Sequence, residues 1–160
     1  MGEALARRGR KVVEVNQLAR EKRLLGRRDR RRETREVDTV SLDKLISEDE
    51  GLDGAILVGH LAHLLTVDLI VVLRCRPSVL AARLAERKYP KAKVQENVEA
   101  EALDVILIEA AETGRPLLEI DTTDKSVDEV VEAMEEILAG EREKYAIGHI
   151  DWSEEVLGWF

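Results

Sequence analysis

The sequence predicts an α/β protein built on a parallel β-sheet. Two continuous apolar runs, at residues 55–58 and 69–73, are typical of strands that are covered on both faces. Segments with helical periodicity alternate with these runs and with two further strand-like segments. Such alternation indicates right-handed βαβ units. At 160 residues the chain is expected to form one domain with a substantial buried core.

The first third of the chain contains three predicted helices and a strand. A helix is predicted over residues 3–8, and a short run of β-branched residues predicts a strand over 11–15. Asn16 is a suitable N-cap for the helix that follows the strand. Ser41 is predicted to cap a third helix, whose apolar face ends near Ile46.

The second half of the chain continues the alternation. Pro77 is expected to begin a helix, because proline is favoured in the first turn. Apolar residues at three-to-four spacing predict one long amphipathic helix over residues 97–111. The last strand is predicted at 117–120 and the last long helix at 127–138. Four strands are therefore predicted, fewer than the five of the folds that this pattern suggests.

The composition limits the environment and the chemistry. Cys75 is the single cysteine, so it makes no internal disulfide, and no zinc-like Cys/His spacing occurs. No apolar run approaches the ~18 residues that a membrane span needs, and the N-terminus lacks the apolar stretch of a secretory signal. We expect a soluble cytoplasmic protein that does not contact a membrane.

The net charge of −8 conceals a strong asymmetry along the chain. Residues 1–35 contain 13 Lys/Arg and 5 Asp/Glu, which gives +8, and the remaining residues contain 12 and 28, which gives −16. The two regions are therefore expected to meet different partners.

Three segments together carry a specific resemblance. They are VEVNQLARE at residues 13–21, AILVGHLAHLL at 55–65, and the long segment from DLIVVLRCRPSVL to VILIEA at 68–110. The last contains the arrangement LR-x-x-P-x-x-L-x-x-R-L-x-x-R-x-Y, followed by ENVEAE. These segments resemble the adenylate-kinase-like family of archaea and eukaryotes, small nucleoside-monophosphate kinases tied to maturation of the small ribosomal subunit. The resemblance runs in order from residue 2 to about residue 138.

The resemblance implies a P-loop-kinase-like parallel sheet with flanking helices, in a single domain over residues 1–160. It implies a monophosphate-binding arm at 14–37, a lid at 86–96 and a C-terminal tail at 139–160. The implied reaction is reversible phosphoryl transfer from ATP to AMP or a related monophosphate with Mg²⁺, with possible ATPase activity. The implied partners, besides these nucleotides, are a small-subunit ribosomal protein and rRNA.

Two site residues follow from the resemblance. Arg87 matches the family's nucleotide-binding lid arginine, and a guanidinium can fork onto phosphate oxygens; the alternative is an ordinary cation at a helix C-terminus. His60 matches the histidine of the family's acid-x-His motif and is the catalytic candidate; the alternative is a packing or hydrogen-bonding residue. Val58 stands where the family has the acid, which puts the metal and ATPase roles in doubt. His63 has no carboxylate nearby in the sequence, so no metal site is predicted.

Two further segments leave alternatives open. Six arginines lie between residues 27 and 35 without an interleaved aromatic residue. They suit a solvated arm surface, substrate phosphate or ribosomal RNA. Both tryptophans and the only phenylalanine lie in the tail, so the tail is expected to dock on its own domain or on a partner.

The phosphate-binding loop of this kinase class, G-x-x-x-x-G-K-[ST], does not occur in the sequence. In the family the loop ends one residue before a segment like GEALARRG, so the central first strand and the Walker A loop are expected to be missing ahead of Met1. Either an internal codon is read as the start, which we favour, or the protein is truly shortened. We expect the 160 residues alone to be inactive. The rival function is a non-catalytic ribosome-assembly factor that contacts a ribosomal protein or rRNA.

Overall fold

The computed structural model describes residues 1–29 and 34–159, with residues 27–29 and 34–36 described by their backbone alone. The chain forms two compact units, Met1–Val67 and Asp68–Phe160. Parallel strands alternate with helices in both, which confirms the α/β prediction. The assignment of residues 1–160 to one kinase-like domain stays a prediction. Within the described residues, no helix is both long enough and apolar enough to cross a bilayer.

The first unit is built around one pair of parallel strands. Its β1 pairs with β4, with Val12 opposite Ile56 and Glu14 opposite Val58. The buried residues Val15, Ala19, Leu42 and Leu65 form the core beside this pair. The elements in order are α1 (Gly2–Arg7), β1 (Val12–Glu14), α2 (Val15–Glu21), β2 (Leu25–Asp29), β3 (Thr34–Val37), α3 (Thr39–Ser47) and β4 (Ile56–Val58). Short 3₁₀ turns lie at Glu50–Leu52 and Ala62–Leu64.

Two predicted helix caps are wrong. Helix α2 begins directly after β1, so Asn16 lies inside its first turn and the N-cap position belongs to Glu14, whose side chain makes no capping bond. Helix α3 is capped by Asp38, three residues before Ser41. The Asp38 carboxylate accepts hydrogen bonds from the Ser41 backbone N–H at 3.0 Å and from its hydroxyl at 2.7 Å. The aspartate therefore takes the role expected of the serine.

The predicted arm contains a strand pair that the sequence did not indicate. Strands β2 and β3 are antiparallel, with Leu25 opposite Val37 and Arg28 opposite Arg35, and the register is irregular between these pairs. Arginine-rich sequence lacks the apolar alternation from which strands are predicted. The predicted arginine surface itself falls on residues 27–35, where side chains lie outside the described part of the chain.

The second unit contains the other pair of parallel strands. Strand β5 pairs with β6 in a regular register that runs from Ile70 opposite Leu117 to Arg74 opposite Asp121. The elements in order are β5 (Ile70–Arg74), α4 (Pro77–Glu86), α5 (Lys91–Ala102), α6 (Val105–Glu112), β6 (Leu117–Asp121), α7 (Val127–Leu138) and α8 (Ser153–Leu157). A 3₁₀ turn lies at Glu143–Tyr145. Pro77 lies in the first turn of α4, as predicted.

The single helix predicted over residues 97–111 is wrong. It is two helices, α5 and α6, separated at Asp104, whose φ of 54° is left-handed. Such a conformation is uncommon outside glycine but is tolerated by aspartate. The break lets the Asp104 carboxylate accept a hydrogen bond from the Arg74 guanidinium. The break between α5 and α6 thus coincides with the Arg74–Asp104 contact, whereas the apolar periodicity of the sequence continues across it.

The tail docks on its own unit through Trp152, which confirms the first of the two alternatives for this residue; Trp159 is exposed, and Phe160 lies outside the described residues. Trp152 is buried, and its indole N–H donates to Glu101 Oε1 at 2.9 Å. Its ring lies under the Arg74 guanidinium, with 5.7 Å between the guanidinium carbon and the ring centroid. The tryptophan therefore joins the tail to both α5 and β5.

Candidate functional site

The first candidate site lies at the carboxyl ends of β1 and β4. These strands are parallel neighbours, so the segments that follow them, the first turn of α2 and residues 59–60, leave the sheet on the same edge. Open α/β sheets bind ligands at this edge. His60 lies here, as the resemblance implies.

Gly59 allows these two segments to approach one another closely. Its φ is +153°, and a Cβ built on it would lie 3.2 Å from the Cβ of Val15, in the first turn of α2. A larger residue would push the two segments apart, because that distance is tighter than ordinary van der Waals contact. Glycine therefore brings His60 alongside the start of α2.

Asn16 and His60 form the polar contact at this edge. The Asn16 amide nitrogen lies 3.2 Å from His60 Nδ1, and both side chains are exposed. An amide nitrogen only donates, so in this arrangement Nδ1 is the acceptor of the pair. The contact orients the imidazole at the carboxyl edge of the two strands. The sequence predicts His60 here but assigns Asn16 to a helix cap; a polar residue directly after a predicted parallel strand was the signal for the partner.

The sheet edge offers few oxygen ligands for a magnesium ion. At nucleotide sites Mg²⁺ is held by one or two carboxylates together with substrate phosphates and water. Val58, at the position of the family's acid, supplies no oxygen, and Glu14 lies opposite it at the end of β1. Among the described residues no cluster of three or more His, Cys, Asp or Glu side chains occurs, and His63 is buried in the Ala62–Leu64 turn.

The second candidate site is the end of α4, where Arg87 follows the last helical residue. Arg87 is exposed, and within the described residues its side chain makes no hydrogen bond or ion pair. Arg87 is the C-cap of α4, and Lys88, with a left-handed φ of 60°, follows it in the four-residue connection to α5. A free guanidinium at this position can make two parallel hydrogen bonds to a phosphate.

One turn earlier, Arg83 is held within the protein. Its Nη2 donates to the backbone carbonyls of Thr122 at 2.9 Å and Thr123 at 2.8 Å, directly after β6. The two arginines of the R-L-x-x-R segment therefore differ in environment. Arg83 fastens α4 to the carboxyl end of β6, and Arg87 remains exposed.

A buried arginine, Arg74, ends β5 and binds three carboxylates of the second unit. Only 1% of its side chain is exposed, and it donates to Glu101 at 2.8 Å, to Glu119 at 2.9 Å and to Asp104. Burial opposes its charge, but attraction by Glu101 and the other carboxylates prevails and raises the pKa of Arg74 above its ordinary value. The sequence indicates Arg74 only as part of a family motif; an arginine ending an otherwise apolar strand was the available signal.

Comparison with known proteins identifies the family of the chain. Residues 1–104 match the family described as AAA domain. Three archaeal relatives carry the name "Putative adenylate kinase". The protein from Natronomonas pharaonis is 45% identical over 145 residues, which cover 89% of this chain and 84% of the relative. That from Methanocaldococcus jannaschii is 36% identical over 149 residues, 92% and 81% respectively. That from Archaeoglobus fulgidus is 51% identical over 104 residues, 63% and 58%.

The fold and the AAA-domain match define the class as a P-loop-kinase-like α/β domain. The relatives identify the family within this class, and they confirm the resemblance to adenylate-kinase-like proteins that the three sequence segments carry. The chain belongs to the adenylate-kinase-like family. Its matched segment spans 84% of the N. pharaonis relative, but less than two thirds of the relative from A. fulgidus.

Proposed function

We propose that the protein is a nucleoside-monophosphate kinase that transfers a phosphoryl group reversibly between ATP and AMP or a related monophosphate. The observation that carries the proposal is the Asn16–His60 pair at the carboxyl edge of parallel strands, in a chain 45% identical to a named putative adenylate kinase. Its buried free thiol, Cys75, suits a reducing compartment, and we propose the cytoplasm.

His60 is the catalytic candidate of this proposal. Phosphoryl transfer proceeds through a loose transition state, so enzymes accelerate it by positioning and by stabilising charge. The Asn16 amide holds the imidazole at the edge where the strands present ligands, and we propose that the ring hydrogen-bonds a phosphate oxygen there. Asn16 is the positioning residue, because its amide contacts the ring through Nδ1.

Arg87 is the nucleotide-binding candidate. Its exposed guanidinium has no internal partner among the described residues to compete with a phosphate. A bidentate arginine–phosphate contact is charge-assisted on both sides and stronger than a neutral hydrogen bond. The expected role is neutralisation of the phosphates of bound ATP.

The first experiment measures equilibrium binding of ATP and AMP to the purified chain by titration calorimetry. Arg87→Ala is expected to weaken ATP binding about tenfold or more, since charged hydrogen bonds contribute roughly 1.5–3 kcal/mol. The control is Arg142→Ala, which removes another exposed arginine that has no partner in the described part of the chain. Equal ATP affinity in both variants would remove Arg87 from the proposal.

The second experiment measures turnover. We propose that these 160 residues alone bind nucleotide without forming ADP, because they contain no G-x-x-x-x-G-K-[ST] loop. AMP-dependent ADP formation that is lost in His60→Gln, and retained in the exposed control His149→Gln, would refute the inactivity and support the catalytic role of His60 directly.

A second function is favoured by the charge distribution. We propose as the alternative a non-catalytic role in assembly of the small ribosomal subunit, in which the arm binds rRNA. Residues 1–35 carry a net charge of +8, and β2 and β3 bring Arg28 and Arg35 to opposite positions of one ribbon. Paired arginines on a ribbon are suited to phosphate oxygens, and binding would release counterions.

The alternative is tested by filter binding of a small-subunit rRNA fragment at increasing salt concentration. The double variant Arg28→Ala/Arg35→Ala is expected to reduce the salt slope by about two, because each phosphate contact contributes roughly one unit. Binding that is insensitive to salt or to these substitutions would argue against an rRNA-binding arm. This outcome would not bear on the proposed nucleotide-binding role of Arg87, because that role is tested separately by the ATP affinity of Arg87→Ala.

A further inference from the structure

The C-terminal segment 141–157 crosses the base of a helical hairpin, and we call this segment the strap. The hairpin consists of α4, the connection 87–90 and α5, and its two helices pack against one another. The connection is short, so the start of α4 and the end of α5 lie together at the base, and residues 87–90 form the tip. Arg87 is therefore carried at the end of the hairpin remote from its base.

The strap contacts the α5 side of the base through Trp152. The indole N–H donates to Glu101 Oε1 at 2.9 Å, one residue before α5 ends. The same oxygen accepts from Arg74 Nε at 2.8 Å and from the Cys75 backbone N–H at 3.2 Å. One carboxylate oxygen therefore joins α5, β5 and the strap.

The strap contacts the α4 side through Glu155. Helix α4 has no capping side chain at its N-cap residue, Arg76. The Glu155 carboxylate supplies the cap instead: it accepts from the Ser78 backbone N–H at 2.7 Å and from the Ser78 hydroxyl at 3.3 Å. It also lies 4.0 Å from Arg76 Nε. A carboxylate at this position satisfies an otherwise unpaired N–H and complements the helix dipole.

The strap is itself fixed to the sheet. The buried Glu119, on β6, accepts from the backbone N–H groups of Gly148 at 2.8 Å and His149 at 3.3 Å. Ala146 pairs with Leu118 as an isolated antiparallel bridge. The strap therefore runs from β6 to both helices of the hairpin and links the base of the hairpin to the strands.

We propose that the strap is a positioning element for the hairpin, with Trp152 and Glu155 as its positioning residues, and that it sets the orientation from which Arg87 reaches a nucleotide. The functional half of this inference rests on the proposed binding role of Arg87. Arg83 holds the last turn of α4 against the carboxyl end of β6, so the helix pivots at Arg83 and movement of the base tilts the tip. Restraint at the base thus determines the range of positions that the tip occupies.

The mechanical half is tested without nucleotide, by hydrogen exchange with mass spectrometry. Glu155→Ala is compared with Glu154→Ala, which truncates the preceding exposed glutamate, a side chain with no partner within the described residues. Loss of the cap is expected to speed exchange about fivefold at the start of α4. It is also expected to speed exchange at the tip, where the N–H groups of Lys88 and Tyr89 bond to Ala85 and Leu84.

Two further readouts separate positioning from general loss of structure. Glu155→Gln keeps an oxygen acceptor and is expected to restore most of the protection at the tip. In a Trp159→Phe background the emission reports Trp152, and it is expected to shift to longer wavelength in Glu155→Ala as the strap loosens. Faster exchange confined to the strap and residues 77–80, with an unchanged tip, overturns the proposal.

The functional half is tested by the ATP affinity of the same variants. Glu155→Ala is expected to weaken ATP binding severalfold while Glu154→Ala does not. If Arg87→Ala weakens binding and Glu155→Ala does not, the strap has no role in nucleotide binding and this inference fails alone. If Arg87→Ala leaves binding unchanged, the proposed role of Arg87 fails, and exchange at the tip still decides whether the strap positions the hairpin.

Discussion

Replacing Arg74 with methionine removes the cation from a cluster of three carboxylates. The native guanidinium is 1% exposed, bonds to Glu101, Glu119 and Asp104, and lies against the Trp152 ring. Methionine fills much of the volume but leaves three negative groups facing one another with their main donor gone. Breaking a buried charge network in this way costs about 3–5 kcal/mol, because the remaining charges are uncompensated.

The assay is urea denaturation followed by circular dichroism at 222 nm. With a slope in urea of about 1–3 kcal/mol/M, this loss is expected to lower the midpoint by at least 1 M. The matched control is Arg76→Met, because the side chain of Arg76 is 53% exposed and its nearest carboxylate is 4.0 Å away. Such an exposed ion pair contributes about 0–1 kcal/mol, so the control should unfold close to the native midpoint.

Second-site variants identify the source of the loss. Adding Glu119→Gln to Arg74→Met removes one of the uncompensated charges, so the double variant is expected to be more stable than the sum of the two single changes predicts. A cost below about 1 kcal/mol for Arg74→Met, or strict additivity in the double variant, would refute the reasoning that the cluster is held together by this cation.

The remaining predictions concern single contacts in each unit. Gly59→Ala places a Cβ 3.2 Å from that of Val15 at a φ of +153°, so it is expected to destabilise the protein by roughly 1–3 kcal/mol in thermal unfolding; an unchanged Tm would contradict this. Ser126→Ala removes the cap of α7 and is expected to cost about 1 kcal/mol. Hydrogen bonds from the Ser126 backbone and hydroxyl lower the pKa of Glu129 below its ordinary value of 4.5. That carboxylate therefore stabilises the fold above pH 4.5 and loses its contribution as pH falls through the lowered pKa. Glu129→Gln removes the titrating group, so acid titrations of the native protein and of Glu129→Gln should differ in that window, and coincident curves would contradict the assignment.

Much of the fold follows from local pattern, and the errors have tertiary causes. The apolar runs and Pro77 locate β4, β5 and α4 within one or two residues. A run of apolar residues indicates a buried strand and a proline indicates the first turn of a helix, and both signals lie within a few residues of sequence. The separation of α5 from α6 does not follow from local pattern, because it accompanies a contact between Asp104 and Arg74, which lie 30 residues apart. The two strands of the arm, β2 and β3, are not predicted, because their arginine-rich sequence lacks the apolar alternation that indicates a strand.

The residues of the candidate sites could be predicted in part, but their contacts could not. His60 and Arg87 follow from the resemblance, but their surroundings do not. Asn16 has the sequence preference of a helix cap, and only the pairing of β1 with β4 brings it to His60, 44 residues along the chain. The partners of Arg74 lie 27 to 45 residues away, and one of them, Glu119, lies outside the segment that carries the resemblance. Contacts of this range depend on topology, which local periodicity leaves undetermined.

The contact between Glu155 and Ser78 also imposes an order on biosynthesis. Glu155 is translated 77 residues after Ser78, the residue of α4 that it caps, and Trp152 is translated 51 residues after Glu101. While the ribosome is still adding those residues, the nascent second unit has an uncapped helix start and an Arg74–Glu101 pair that the indole does not yet cover. Long-range contacts of this kind form late and slowly. A nascent chain stalled before residue 152 should therefore be the species that chaperones or proteases recognise, and release of the last residues should end that vulnerability.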